Sequence, residues 1–159
     1  MGYTVIGISD MRVSSDAEDI LITYSLGSCI GLTLYDPTIG VGGMVHCMLP
    51  HSKTDESKAQ QNPCMYVDSG VLALLGALFD LGAQRKNIIA NIAGGSNLLD
   101  EKEVFKIGER NYTMVRKVLW KNDIIPRGVE VGGTIPRTML LYLNDGRTVI
   151  KSGGAERDL

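Results

Sequence analysis

No apolar run in the sequence approaches the ~20 residues that a membrane-spanning helix needs. The opening stretch, Met1 to Asp10, lacks the basic segment and long apolar core of a signal peptide. Direct membrane insertion is therefore not expected. Nor is there an excess of positive charge: 16 Lys and Arg stand against 18 Asp and Glu, a formal net charge of −2. With no basic cluster, a function built on many phosphate contacts is disfavoured, and no nucleic-acid partner is expected. Cysteine is scarce and odd in number, at Cys29, Cys47 and Cys64. That excludes a disulfide framework and leaves at least one free thiol, as suits a cytoplasmic protein. No Cys-x-x-Cys pair offers a zinc site. Proline is also scarce, 5 residues against 19 glycines, so the glycine excess signals tight turns and close backbone approaches, not a linker. There is no internal repeat or low-complexity tract. With 44% apolar and 21% charged residues, the whole of 1–159 is expected to form one globular domain.

Hydrophobic patterning predicts strands over Tyr3–Ile8, Ile20–Tyr24, Cys29–Tyr35, Val41–Leu49, Ile88–Ile92, Gly128–Val131 and Thr138–Leu143. Asn144-Asp145-Gly146 is a hairpin turn that returns the chain through Arg147–Lys151. Val71, Leu74, Leu75, Leu78 and Phe79 repeat at helical spacing and predict a helix over Asp68–Leu81, capped by Asp68 or Ser69 and closed by Gly82. A second helix is predicted from about Gly108 to Lys121, with Tyr112, Val115, Val118 and Leu119 inward. The polar stretch His51 to Asn62 reads as an exposed loop. Strands outnumber helices and many are sequential, so the fold class is α+β.

The residues with chemistry to offer are few. Cys29 follows Leu26-Gly27-Ser28. A thiol just after a glycine-containing bend lies where backbone N–H groups escape the strand ladder and can serve an oxyanion, so Gly27, Ser28 and Ser25 form its vicinity. Cys29 could equally be a small buried apolar residue. A thiol nucleophile needs a base, and the chain has two histidines. His46 sits within an apolar strand, either as a base or as a core histidine bonded to a carbonyl. His51 lies beyond Pro50 in the polar loop. Thr23 or Ser25 could orient the imidazole, or Thr23 could be only a strand former. Cys47, adjacent to His46, must point to the opposite face of a strand, so it reads as core filler and not as the second ligand of a metal. Cys64 reads as incidental. Gly94-Gly95-Ser96-Asn97 follows a strand but matches no phosphate-loop pattern, and it reads as a turn, as do Gly132-Gly133 and Gly153-Gly154.

Four stretches resemble the CheD family of chemoreceptor glutamine deamidases. They are Thr23-Tyr24-Ser25-Leu26-Gly27-Ser28-Cys29, Gly43-Met44-Val45-His46-Cys47-Met48-Leu49-Pro50, Tyr66-Val67-Asp68-Ser69-Gly70, and Gly94-Gly95-Ser96-Asn97 followed by Ile107-Gly108-Glu109-Arg110-Asn111. The resemblance runs from about Val5 to Lys151. It implies a β-sandwich-like core of mixed and antiparallel sheets with two or three helices packed outside, and a triad of Cys29 as nucleophile, His46 as base and Thr23 as the residue orienting the histidine. It further implies hydrolysis of glutamine side chains to glutamate on the helical cytoplasmic region of chemoreceptors, in chemotaxis adaptation, through a Cys thioester and without metal or organic cofactor. Some members also hydrolyse glutamyl methyl esters, and many bind a phosphatase of the CheC type. One departure stands out: in Glu130-Val131-Gly132-Gly133-Thr134-Ile135-Pro136-Arg137 a proline occupies the position where the family usually has glycine.

The rival reading is a non-catalytic chemotaxis module that engages receptors and a CheC-type phosphatase. Selective labelling separates the two: in the enzyme a low-pKa Cys29 is expected to react before Cys47 and Cys64. A thiol peptidase, cleaving the main chain without releasing ammonia, is separated only by the resemblance.

Overall fold

The computed structural model describes residues 2–97 and 106–159. Among these residues ten strands form two five-stranded sheets. The strands are β1 (Tyr3–Val5), β2 (Asp10–Ser14), β3 (Ile20–Leu26), β4 (Ile30–Asp36), β5 (Val41–Cys47), β6 (Ile89–Gly94), β7 (Gly128–Val131), β8 (Arg137–Tyr142), β9 (Thr148–Ser152) and β10 (Ala155–Asp158). The helices are α1 (Glu56–Gln61), α2 (Val67–Asp80) and α3 (Ile107–Lys121). One sheet has the order β1-β3-β8-β9-β10 and the other β2-β5-β4-β6-β7. Each is mixed: β1 runs parallel to β3 and β6 to β7, while the remaining pairs are antiparallel.

Strand alternation decides the layering. β4 is buried along its whole length, the mark of a central strand covered on both faces. Its Ile30, Leu32 and Leu34 join Val45 and Cys47 of β5 in a core closed by Val71, Leu74, Leu75 and Leu78 of α2 and Val115 and Leu119 of α3. Met44 of β5 and Tyr35 of β4 face the other way, into a second core with Leu21, Leu26, Met139, Leu141 and Ile150 of the opposite sheet. The result is sheet on sheet with helices on one outer face, an α+β sandwich.

The predicted elements are found with shifted ends. β1 stops at Val5 and β4 starts at Ile30, one residue after Cys29. β2 and β10 went unread because both are half-exposed edge strands, without the apolar alternation that marks a strand in sequence. The polar stretch after His51 is exposed as expected, but it is organised by a single turn of tight helix at Ser52–Thr54 and by α1, which buries no residue. Asp68 does not cap α2: its carboxylate accepts from the Ser52 N–H at 2.9 Å and the Ser52 hydroxyl at 2.8 Å, tying the polar segment to the helix. No helix among the described residues is long and apolar enough to cross a membrane.

Candidate active site

β3 and β8 stay in register from Ile20–Tyr142 to Thr23–Met139, and pairing then resumes at Leu26–Arg137. Three steps along β3 match two along β8, so β3 carries one extra residue, a bulge. Ser25 takes it up with a left-handed φ of 57°. The bulge reverses the alternation: Thr23 and Leu26 point into the sandwich, while Tyr24 and Ser25 are exposed. Of the two hydroxyls that could orient His46, Thr23 is therefore the one inside.

His46 reaches Thr23 across the gap between the sheets. It is fully buried and faces the sandwich interior, while its neighbour Cys47 faces α2, where Gly70 leaves room for its sulfur. The Thr23 hydroxyl lies 2.7 Å from His46 Nδ1 and 2.7 Å from the Ile6 carbonyl. A carbonyl only accepts, so the hydroxyl spends its single proton on Ile6 and must accept at Nδ1. That places the imidazole proton on Nδ1 and leaves a bare lone pair on Nε2. Nε2 is buried and has no hydrogen-bond partner among the described residues. Burial pushes the His46 pKa down from 6.5 to about 4, so the ring is neutral at pH 7.

Cys29 sits in the bend between β3 and β4, half-buried, and packs against the inter-sheet core. Gly31 is paired with His46 and Ile30 with Cys47, so Cys29 immediately precedes β4 and lies two residues before the residue opposite His46. Burial raises the Cys29 thiol, only partly opposed by its own backbone N–H. The low-pKa thiol expected from the sequence is therefore not found: thiol and imidazole rest neutral. Cys64 is pushed up to about 11 and Cys47 well above its ordinary value, both by burial first. Cys29 is the only one of the three that is not buried. His51 is elsewhere, its Nδ1 3.3 Å from the Asp68 carboxylate.

The comparisons with known proteins bear on the same chain. The family model described as CheD chemotactic sensory transduction matches residues 48–152. A protein of Syntrophus aciditrophicus named "Probable chemoreceptor glutamine deamidase CheD 1" is 44% identical over 160 residues, covering 100% of each chain. The chain belongs to the CheD family. A Solibacter usitatus relative, "Probable chemoreceptor glutamine deamidase CheD", is 43% identical over 159 residues, covering 100% of this chain and 94% of its own. Among solved structures, a Bacillus licheniformis hypothetical protein, YfiH, matches with a TM-score of 0.44 and 15% identity over 77% of this chain and 49% of that one.

In this CheD-family chain the turn after β6 clasps the Cys29 bend. The Gly95 N–H donates to the Cys29 carbonyl and the Ser96 N–H to the Gly27 carbonyl, each at 2.8 Å. Gly94 has φ 106°, and a side chain there would bring Cβ to 2.2 Å from the Cys29 carbonyl oxygen. The glycine pair that looked like a plain turn is thus what lets β6 approach the cysteine. Arg137 supports the turn from beneath, donating to the Gly94 carbonyl at 3.2 Å and to Ser96 Oγ at 2.9 Å, with Nε on Glu130 at 2.8 Å. Pro136 does not disturb these contacts. Asn111 of α3, quoted above only as part of a resemblance, is fully buried and bonded to the carbonyls of Ser28 and Met48. Sequence reading assigned it no role because a helical asparagine gives no sign of a distant loop it will meet. Four surface grooves are lined by residues of α3, and neither Cys29 nor His46 lines them.

Proposed function

We propose that this chain deamidates glutamine side chains of chemoreceptors to glutamate in the cytoplasm, with Cys29 as nucleophile, His46 as base and Thr23 as the residue that orients the imidazole. The observation that supports the reading is a buried His46 Nε2 without a hydrogen-bond partner among the described residues, facing the inter-sheet interior against which the half-buried Cys29 packs. Its relatives' names supply the substrate class.

Because both groups rest neutral, proton transfer accompanies attack. His46 Nε2 takes the thiol proton as the sulfur bonds to the carboxamide carbon, and the carbonyl oxygen becomes an oxyanion held by backbone N–H groups near Gly27, Ser28 and Cys29. A lost donor in such sites costs roughly 3–4 kcal/mol of barrier. The imidazolium returns its proton to the amide nitrogen, the C–N bond breaks and ammonia leaves a thioester. Water then attacks the thioester with His46 again taking a proton, which restores the thiol and releases glutamate. Thr23 keeps Nδ1 protonated and Nε2 available throughout. Residues 1–159 act as one deamidase domain. The family resemblance adds a CheC-type phosphatase as a regulator competing for the receptor-binding surface.

The test is incubation with a receptor signalling fragment, following ammonia and the mass shift of amide to acid. Wild type converts specific glutamines and Cys29→Ala does not. A Cys29→Ala protein as active as wild type refutes the assignment.

A further inference from the structure

The three carbonyls of Gly27-Ser28-Cys29 are all engaged, by the Ser96 N–H, the Asn111 side chain and the Gly95 N–H respectively. The N–H groups of Ser28 and Cys29, by contrast, have no acceptor in another residue among the described residues. A bend in which every carbonyl is tied and the amides are left open is built to present donors. Asn111 is its central tie. Its Nδ2 donates at 2.8 Å to Ser28 O and at 2.9 Å to Met48 O. Two acceptors on one side fix the amide orientation, since the flipped group would set oxygen against oxygen. The consequence is an Oδ1 that is buried and has no partner among the described residues. An orphaned buried acceptor is unfavourable, and the fold tolerates it here.

The peptide between Ser28 and Cys29 is planar, and in the trans form its C=O and N–H point in opposite directions. Held toward α3 by its carbonyl, this peptide turns the Cys29 N–H away from α3, and it is this N–H that interacts with the Cys29 sulfur. The second Asn111 bond ties the same amide to Met48, two residues beyond His46, while the β4–β5 pairing of Ile30 with Cys47 and Gly31 with His46 holds the two segments side by side.

We infer that Asn111 is a positioning residue for the deamidation proposed above: by gripping the Ser28 carbonyl it aims the Cys29 N–H at the oxyanion formed when the thiol attacks. The inference rests on that functional reading and deepens it.

Asn111→Ala is compared with wild type in two reactions. On a receptor fragment, kcat falls on the order of 100-fold, as for loss of an oxyanion donor, while KM stays within about two-fold. Alkylation of Cys29 by iodoacetamide displaces iodide at a saturated carbon and forms no oxyanion, so its rate stays within about two-fold. A residue that merely held the bend in place would change both rates together. An unchanged kcat, or parallel losses in deamidation and alkylation, overturns the inference. A wild-type measurement covers the case in which the variant fails to fold. A receptor-derived peptide carrying an aldehyde in place of the glutamine carboxamide is added, and the thiol adds to the aldehyde carbon as its proton passes to the oxygen. The Cys29 amide proton then shifts downfield in the NMR spectrum. An adduct that leaves this resonance in place overturns the inference alone. A protein that neither forms the adduct nor deamidates the fragment overturns the deamidase reading, and the inference with it.

Discussion

His46 is where the chemistry of a single side chain shows in bulk behaviour. Its pKa is lowered by burial from 6.5 to about 4. Between those values an unfolded chain holds a proton that the folded protein lacks, so stability falls as pH drops from about 6.5 to about 4 and the loss is complete below that. The full effect is about 3 kcal/mol, read as a declining urea midpoint. In the proposed reaction the same group is expected to show: kcat/KM for ammonia release should keep its value through pH 6 and fall only near pH 4–5. His46→Ala loses on the order of 100-fold or more in rate, the usual worth of a general base. Thr23→Val keeps the shape of the side chain but strands both Nδ1–H and the Ile6 carbonyl. It costs roughly 1–3 kcal/mol of stability by chemical denaturation and on the order of 100-fold in kcat as the imidazole loses its orientation. With limiting iodoacetamide Cys29 is expected to label ahead of the buried Cys47 and Cys64, and its rate keeps rising with alkaline pH, because burial raises its thiol.

At the scale of elements, glycines record where two segments must touch, and α2 holds a contrasting pair. A Cβ on Gly70 would lie 2.7 Å from Cys47 Sγ and 3.2 Å from Cys64 Cα, whereas one on Gly76 meets nothing within 4 Å. Gly70→Ala therefore destabilises by ~1–3 kcal/mol through overpacking, and Gly76→Ala stabilises by up to ~1 kcal/mol through helix propensity. Thermal unfolding of the two variants, shifted in opposite directions, checks the helix packing. Gly94→Ala combines a left-handed backbone with a clash on the Cys29 carbonyl. It costs ~1–3 kcal/mol and removes deamidation, because the bend can no longer be clasped.

Across the whole molecule, polar contacts join the two sheets. Thr33 of β4 and Asn91 of β6 meet the Thr148 hydroxyl of β9 at 2.7 and 3.3 Å. At another edge Glu130 of β7 binds Arg137 of β8 and Arg157 of β10. Arg157 first, then Arg137, hold the Glu130 carboxyl below its ordinary 4.5 against the opposing effect of burial. That contribution is present above pH 4.5 and fades as pH falls through the lowered pKa. Glu130→Gln is expected to flatten only this lower part of the stability profile and to speed hydrogen exchange of β10 amides. An unchanged β10 exchange rate would show that the ladder to β9 alone holds the strand.

The sequence by itself determined the α+β class, most of the strands, α2 and α3, because strand and helix periodicities are local properties of a few successive residues. It also determined that Cys47 could not share a face with His46, since alternation along a strand depends on nothing distant. Only the tertiary structure decided which hydroxyl meets the imidazole: a one-residue bulge in β3 turns Thr23 in and Ser25 out, and its position depends on pairing with β8, more than a hundred residues away in the chain. The same holds for Asn111, Gly94 and Arg137, whose partners at the Cys29 bend come from remote segments. It holds also for the neutral state of thiol and imidazole, since burial is a property of the packed whole.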